Sequence, residues 1–360
     1  METLKTLLAA LLLAGSAPAI AQHIFVQTKA GVSVFDTDMK KVGFYAPYGS
    51  DIIGLTGSSF ITFDLENGIL YSYELSNGVI GKKTSSIIPG DYMGKDCGND
   101  NQWPVFLNST VYVMYDNVGE DGQTTYCSVI QTFAVDKGIL TFKGQTQVNN
   151  AQLAGLGSEF TGSSKFAYAV ESGDASATED GIQGFAIEGS GSLAPINANV
   201  LKNNLGTPNY PPAFLAPDPQ DQNHLAMGIG CCNIGLQLAS YTIGSSGDLT
   251  STNTQADMPA TDDNWNYDLE IEINPAGNVL AVTIGTGIQF FHFNGADPIT
   301  TFTGVIGESG EIVSMAWSGN TLYAVNNASG KLHVYDVSTT KVVEAAGSPY
   351  SLGALTVHVH

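Results

Sequence analysis

One strand-turn-strand pattern returns along the chain, and it leaves few folds open. Its copies are Ser33-Val-Phe-Asp-Thr, Tyr71-Ser-Tyr-Glu-Leu, Gln131-Thr-Phe-Ala-Val, Gln183-Gly-Phe-Ala-Ile, Ala239-Ser-Tyr-Thr-Ile, Gln289-Phe-Phe-His-Phe and Leu332-His-Val-Tyr-Asp. The aromatic anchors Phe35, Tyr73, Phe133, Phe185, Tyr241, Phe291 and Tyr335 are spaced 50 residues apart on average. A second series, Phe25, Ile61, Tyr112, Tyr168, Leu225, Leu280 and Tyr323, precedes it copy by copy in short β-rich runs. Four short strands at this period form a unit that cannot bury its own faces, so the units must stack in a ring: a β-propeller. No segment holds an apolar period of 3.6, so no helical domain is expected.

The expectation is an all-β, seven-bladed propeller. Its first copy begins at His23-Ile-Phe-Val without an innermost strand, and the chain ends in an unpaired Leu355-Thr-Val-His-Val-His. Joining the two closes the first blade with the C-terminal strand and removes the open sheet edges that would template aggregation.

Ahead of this domain, Lys5, the apolar run Leu7 to Ala14, and Ala19-Ile-Ala21 read as a signal peptide over residues 1–21, with the propeller over 22–360. The apolar run is too short to span a bilayer, and Gln22 stands where a lipoprotein would carry Cys. A secreted or periplasmic protein without a membrane anchor is expected, a monomer, its four cysteines in an oxidising compartment. Cys97 and Cys127 both fall around the third blade and are expected to pair. Cys231 and Cys232 are either a vicinal disulfide or two free thiols. Asn108-Ser-Thr and Asn327-Ala-Ser match the N-glycosylation sequon, which matters only in a cell that glycosylates.

The consensus stretches Asn274-Pro-Ala-Gly-Asn-Val-Leu-Ala-Val, Leu322-Tyr-Ala-Val-Asn-Asn and Gly347-Ser-Pro-Tyr resemble the YVTN-type repeats of lactonase-like seven-bladed propellers. That resemblance covers the domain and implies its fold. The family includes phosphogluconolactonases and carboxymuconate cyclases, which act on anions with sites of His, Glu and Arg. All 13 basic residues here are Lys, against 34 acids and a net charge of −21. No Arg position can be matched, so no catalytic residue is carried across, and nucleic acid is excluded as a partner on charge. No G-x-S-x-G marks a serine hydrolase.

In such a ring the loops entering each blade share one face with those between second and third strands, and ligands usually bind there. These segments gather 19 of the 34 carboxylates, with Tyr48, Tyr92, Trp103, Tyr210, Trp265 and Tyr267 as candidate ligand-binding aromatics. Within them, Asp262-Asp-Asn-Trp-Asn-Tyr-Asp is the densest set of hard oxygen donors. Asp262, Asp263 and Asp268 are the candidate ligands for Ca²⁺, though the stretch fails the EF-hand pattern. His224, His292 and His333 fall at different registers, so structural roles are expected for them; His358 and His360 alternate on one face of the closing strand, a spacing that could hold a transition metal, but ordinary packing or turn exposure is expected there.

Two functions compete. One is a binding protein whose acidic, aromatic-bearing face takes a small molecule, a sugar or a protein. The other is a Ca²⁺-assisted hydrolase of neutral lactones, in which the metal polarises the carbonyl for attack by water.

Overall fold

The structure is a computed structural model, and it describes residues 22–45, 51–92, 102–117, 127–148, 160–171, 181–189, 191–197, 200–201, 212–230, 235–264, 270–307 and 310–360. The expected signal peptide lies outside them. Seven antiparallel sheets form the blades of a propeller. From inside outward, blade 1 is Ala354–Val359, His23–Thr28, Gly31–Asp36 and Lys41–Tyr45. Blade 2 is Asp51–Thr56, Ser59–Asp64, Ile69–Ser76 and Val79–Ile87, and blade 3 is Gln102–Leu107, Thr110–Asn117, Cys127–Asp136 and Ile139–Val148. Blade 4 is Phe160–Gly162, Phe166–Glu171, Gly181–Ile187 and Leu193–Asn197. Blade 5 is Pro212–Pro217, His224–Ile229, Gly235–Ile243 and an outer strand in two pieces, Leu249–Thr250 and Ala260–Asn264. Blade 6 is Ile271–Ile273, Val279–Ile284, Gly287–Asn294 and Asp297–Thr301. Blade 7 is Ile312–Ser318, Thr321–Asn326, Lys331–Val337 and a second divided outer strand, Val342–Glu344 and Tyr350–Ser351. The helices among the described residues are two 3₁₀ turns, Pro89–Tyr92 and Gln255–Asp257.

Closure is by the C-terminal strand. Ile24 pairs with Val359, Phe25 with His358, Val26 with Val357 and Gln27 with Thr356. His23 and His360 exchange backbone hydrogen bonds at 2.8 and 3.0 Å. The inner strand of blade 7 joins in through Ser314, whose hydroxyl accepts from Val357 N–H at 3.1 Å.

The core is a set of seven apolar seams, one between each pair of blades. Second strands are covered on both faces, which is why Val279–Ile284 is a continuous apolar run buried at every position. Outer strands have water on one side, so Val79–Ile87 is mostly exposed. Every aromatic anchor of the first series points toward the preceding blade: Phe35 sits in the seam with blade 7, Tyr73 in that with blade 1, Phe133 in that with blade 2.

The second series does not keep a single register. Leu225 and Leu280 lie directly across from Tyr241 and Phe291, whereas the residues facing Phe35, Tyr73, Phe133, Phe185 and Tyr335 are Ile24, Phe60, Val111, Ala167 and Leu322. Phe25, Ile61, Tyr112, Tyr168 and Tyr323 are each one position further along. Side chains alternate across a strand, so one step sends them into the following seam. A strand apolar on both faces hides that slip from a sequence comparison.

Candidate functional site

Inner strands all begin on one face of the ring. The turns between second and third strands lie on that same face, which is the mouth of the central channel, and inner-to-second turns lie on the opposite one. The consensus turn Asn274-Pro-Ala-Gly-Asn belongs to the opposite face. There the buried Asn274 Oδ1 accepts from the backbone N–H groups of Asn278 and Val279, both at 3.0 Å. That is a turn-building role, remote from the mouth.

At the mouth, Gln27 joins blades 1 and 2. Its Nε2 donates to Asp51 Oδ1 at 2.8 Å, and its Oε1 accepts from Ile52 N–H at 3.1 Å and Thr356 Oγ1 at 3.4 Å. Asp51 opens the inner strand of blade 2 and is half-buried, so this amide holds a channel-side carboxylate in a fixed direction. Such an oriented carboxylate can accept from a hydroxyl or face a cation.

Across the ring, Glu270 stands at the head of the inner strand of blade 6. Its backbone is clamped by Thr283, whose Oγ1 accepts from Glu270 N–H at 2.7 Å and whose N–H donates to Glu270 O at 3.0 Å. The side chain then crosses to blade 7, where Oε2 accepts from Met315 N–H at 2.6 Å. Burial pushes this carboxyl from its ordinary 4.5 up to about 7, against the pull of the Met315 N–H. A group of this kind can give or take a proton near neutral pH. A further titratable group on the inner strands is His358, on the closing strand nearer the far end of the channel. Burial lowers its imidazole from 6.5 to about 4, against a backbone hydrogen bond with Ile52.

The expected site residues are placed as follows. Tyr92 ends the 3₁₀ turn leading into blade 3 and stacks on Phe142 of that blade's outer strand, with ring centroids 4.3 Å apart. It is still 42% exposed, so one ring face is structural and the rest meets solvent. Asp262 is exposed on the divided outer strand of blade 5, and its N–H donates to Gln289 Oε1 of blade 6 at 2.8 Å. Tyr92 and Asp262 therefore belong to different seams and do not converge. Trp103, Asp263 and Cys127 lie in strands of which the backbone is described, Trp103 pairing with Met114. Tyr48, Tyr210, Trp265, Tyr267, Asp268, Cys97, Cys231 and Cys232 lie outside the described residues. No group of three or more His, Cys, Asp and Glu with metal-binding geometry occurs among the described residues.

Three histidines contact neighbours in their own blades. His333 Nδ1 meets Glu344 Oε1 at 2.9 Å, His224 Nδ1 lies 3.2 Å from Asp221, and His292 stacks on Phe302 at 4.3 Å. Sequence reasoning missed Glu270 and Gln27. Glu270-Ile-Glu-Ile alternates as any half-exposed strand does, and nothing in it signals that the first carboxyl is enclosed.

No family model matches the chain, and no curated protein matches it. Solved structures do. A Bacteroides uniformis protein described as a candidate 6-phosphogluconolactonase is similar with a TM-score of 0.66 at 12% identity, covering 94% of this chain and 99% of the other. A Lactobacillus plantarum protein gives 0.64 at 12% identity over 94% and 99%. The periplasmic gluconolactonase PpgL of Pseudomonas aeruginosa gives 0.60 at 13% identity over 94% and 98%. At these identities the likeness is one of fold: the chain is a seven-bladed propeller built like lactonase-like ones.

Proposed function

We propose that this protein is an exported ligand-binding propeller whose channel mouth takes a small neutral polyol or a small organic cation. The observation that carries the reading is Glu270, a half-buried carboxyl at the channel mouth held by the Met315 N–H and pushed by burial up to about 7. Protonated, it donates to a hydroxyl; ionised, it accepts from one or faces a cation. Asp51, aimed by Gln27, supplies a second acceptor on the other side of the mouth. With no Arg in the chain and a net charge of −21, anionic sugar acids are disfavoured at such a site.

The test is a melting-shift screen of neutral sugars, lactones, organic cations and Ca²⁺ against the protein and its Asp51→Asn and Glu270→Ala variants. A ligand that stabilises the protein and loses at least tenfold in affinity in both variants supports the reading. A ligand bound equally by all three places the site elsewhere.

The second reading, hydrolysis of a neutral lactone, is favoured by the position of the Glu270 pKa. Glu270 acts there as general base, drawing a proton from the water that attacks the carbonyl. The likeness in fold to a periplasmic gluconolactonase, an enzyme named for an uncharged lactone, is consistent with such a substrate. Ca²⁺ held by Asp262, Asp263 and Asp268 would supply the polarisation of the carbonyl. Turnover whose kcat/KM rises through pH 7 and vanishes in Glu270→Gln supports catalysis; turnover unchanged in that variant removes it.

A further inference from the structure

The two glycosylation sequons fall on opposite faces of the ring in different local structures. Asn327 lies in the turn between the second and third strands of blade 7, on the mouth face, and is exposed. Its backbone N–H donates to Glu311 O at 2.9 Å, which fixes the turn, while no described residue hydrogen-bonds its side-chain amide. The neighbouring Asn326 is the residue that organises the turn. Its Oδ1 accepts from the Ser329 N–H at 3.0 Å and the Ser329 hydroxyl at 3.1 Å, leaving Asn327 to project.

Asn108 is built differently. With Ser109 it makes the two-residue hairpin between the inner and second strands of blade 3, on the far face, both residues in the left-handed region at φ of 50° and 62°. Its Nδ2 donates to Ser163 O of blade 4 at 2.9 Å, so the amide ties two blades together. The sequon's Thr110 is 5% exposed and already in the second strand. A substituent on Asn108 Nδ2 would have to share that nitrogen with an interblade hydrogen bond.

We propose that Asn327 is a site of N-linked glycosylation, occupied in preference to Asn108. In the transfer, Asn327 Nδ2 attacks the anomeric carbon of a lipid-linked oligosaccharide diphosphate. The N–C bond forms as the C–O bond to the diphosphate breaks, the lipid diphosphate leaves, and the amide proton passes to a base of the transferase. The glycan then stands on the mouth face beside the head of the inner strand of blade 7. It leaves the channel open to a small molecule and screens that sector from a macromolecule. The assignment does not depend on which small ligand the mouth binds.

The experiment is expression of the full chain in a eukaryotic host that glycosylates secreted proteins, followed by glycosidase release in heavy-oxygen water and peptide mapping of both medium and membrane fractions. The expected result is an isotope-tagged Asp at position 327, with position 108 tagged at no more than a tenth of that level. Ser329→Ala and Asn327→Gln should lose the glycosidase-sensitive mobility shift, whereas Ser329→Thr and Asn108→Gln should keep it. Ser329→Thr preserves the sequon and the hydroxyl contact, so it separates loss of the acceptor from loss of fold. No tag at position 327, or a tag at position 108 equal to or above it, overturns the proposal.

Discussion

Tyr112 and Tyr168 show how single residues lock one blade to the next. Each stands near the start of a second strand, and each phenol donates to a glycine carbonyl in the third-to-outer turn of the following blade: Tyr112 to Gly191 at 2.8 Å, Tyr168 to Gly247 at 3.1 Å. The acceptors are glycines for a reason that sterics supplies. At φ of 83° and 85° a side chain is strained, and a Cβ would lie 2.7 Å from Thr110 Oγ1 at Gly191 and 2.6 Å from Ile196 Cδ1 at Gly247. Tyr112→Phe keeps the ring packing and removes the hydrogen bond, so we expect a loss of about 1–2 kcal/mol in urea unfolding at neutral pH with an unchanged slope. Burial pushes the Tyr112 phenol up to about 12 from 10. The native state therefore keeps a proton that the unfolded chain gives up, and the stabilisation by Tyr112 fades as pH rises from 10 to 12. The gap between protein and variant should narrow across that window; a constant gap would mean that the phenol is not buried as described. From sequence these tyrosines were legible as strand residues, but their partners, 79 positions away, were not.

Among elements, the inner strands carry two titratable groups whose surroundings shift them, Glu270 at the head of Ile271–Ile273 and His358 on the closing strand. The Glu270 carboxyl titrates near 7 when folded and near 4.5 when unfolded. Its favourable term is complete below 4.5 and is lost as pH rises to 7, because ionisation then costs more in the fold than in water. His358 acts in the opposite sense. Its imidazole falls to about 4 from 6.5, so its term is complete above 6.5 and lost as pH falls toward 4. The two together place maximal stability at mildly acidic pH. Glu270→Gln keeps an acceptor for Met315 N–H without the charge, so we expect it to match the protein near pH 4.5 and exceed it at pH 8 by on the order of 2 kcal/mol. Denaturation midpoints measured from pH 4 to 8 check this; parallel profiles for protein and variant would remove Glu270 as the source. The sequence announced His358 as a strand residue on the closing segment. It could not announce Glu270, since enclosure there comes from the inner strand of blade 7, 45 positions on.

For the whole molecule, ring closure is the decisive joint. The strand Ala354–Val359 pairs with His23–Thr28 and, through Ser314 and Val357, seals blade 7 to blade 1. Removing residues 354–360 should bare the edge of blade 1 and open both adjoining seams, giving aggregation or a fall in melting temperature on the order of 10 °C or more. A truncated chain that stays monomeric and melts unchanged would show that closure contributes nothing. The period of 50 residues determined the seven blades by itself, because a repeated four-strand unit with two apolar faces has no way to bury them except against its own copies in a ring. The missing first strand and the spare last one likewise determined where the ring shuts. What only the tertiary structure decided is which residues meet across the seams: that Tyr92 and Asp262 stand apart, that the second series slips by one position in five of its copies, that Gln27 holds Asp51, and that the Glu270 carboxyl reaches Met315 of the next blade. The physical reason is that a strand's own pattern records which face is apolar, whereas charge enclosure, hydrogen-bond partners and direction toward the channel are set by the neighbouring blade, and the chain reaches that neighbour only after a full repeat.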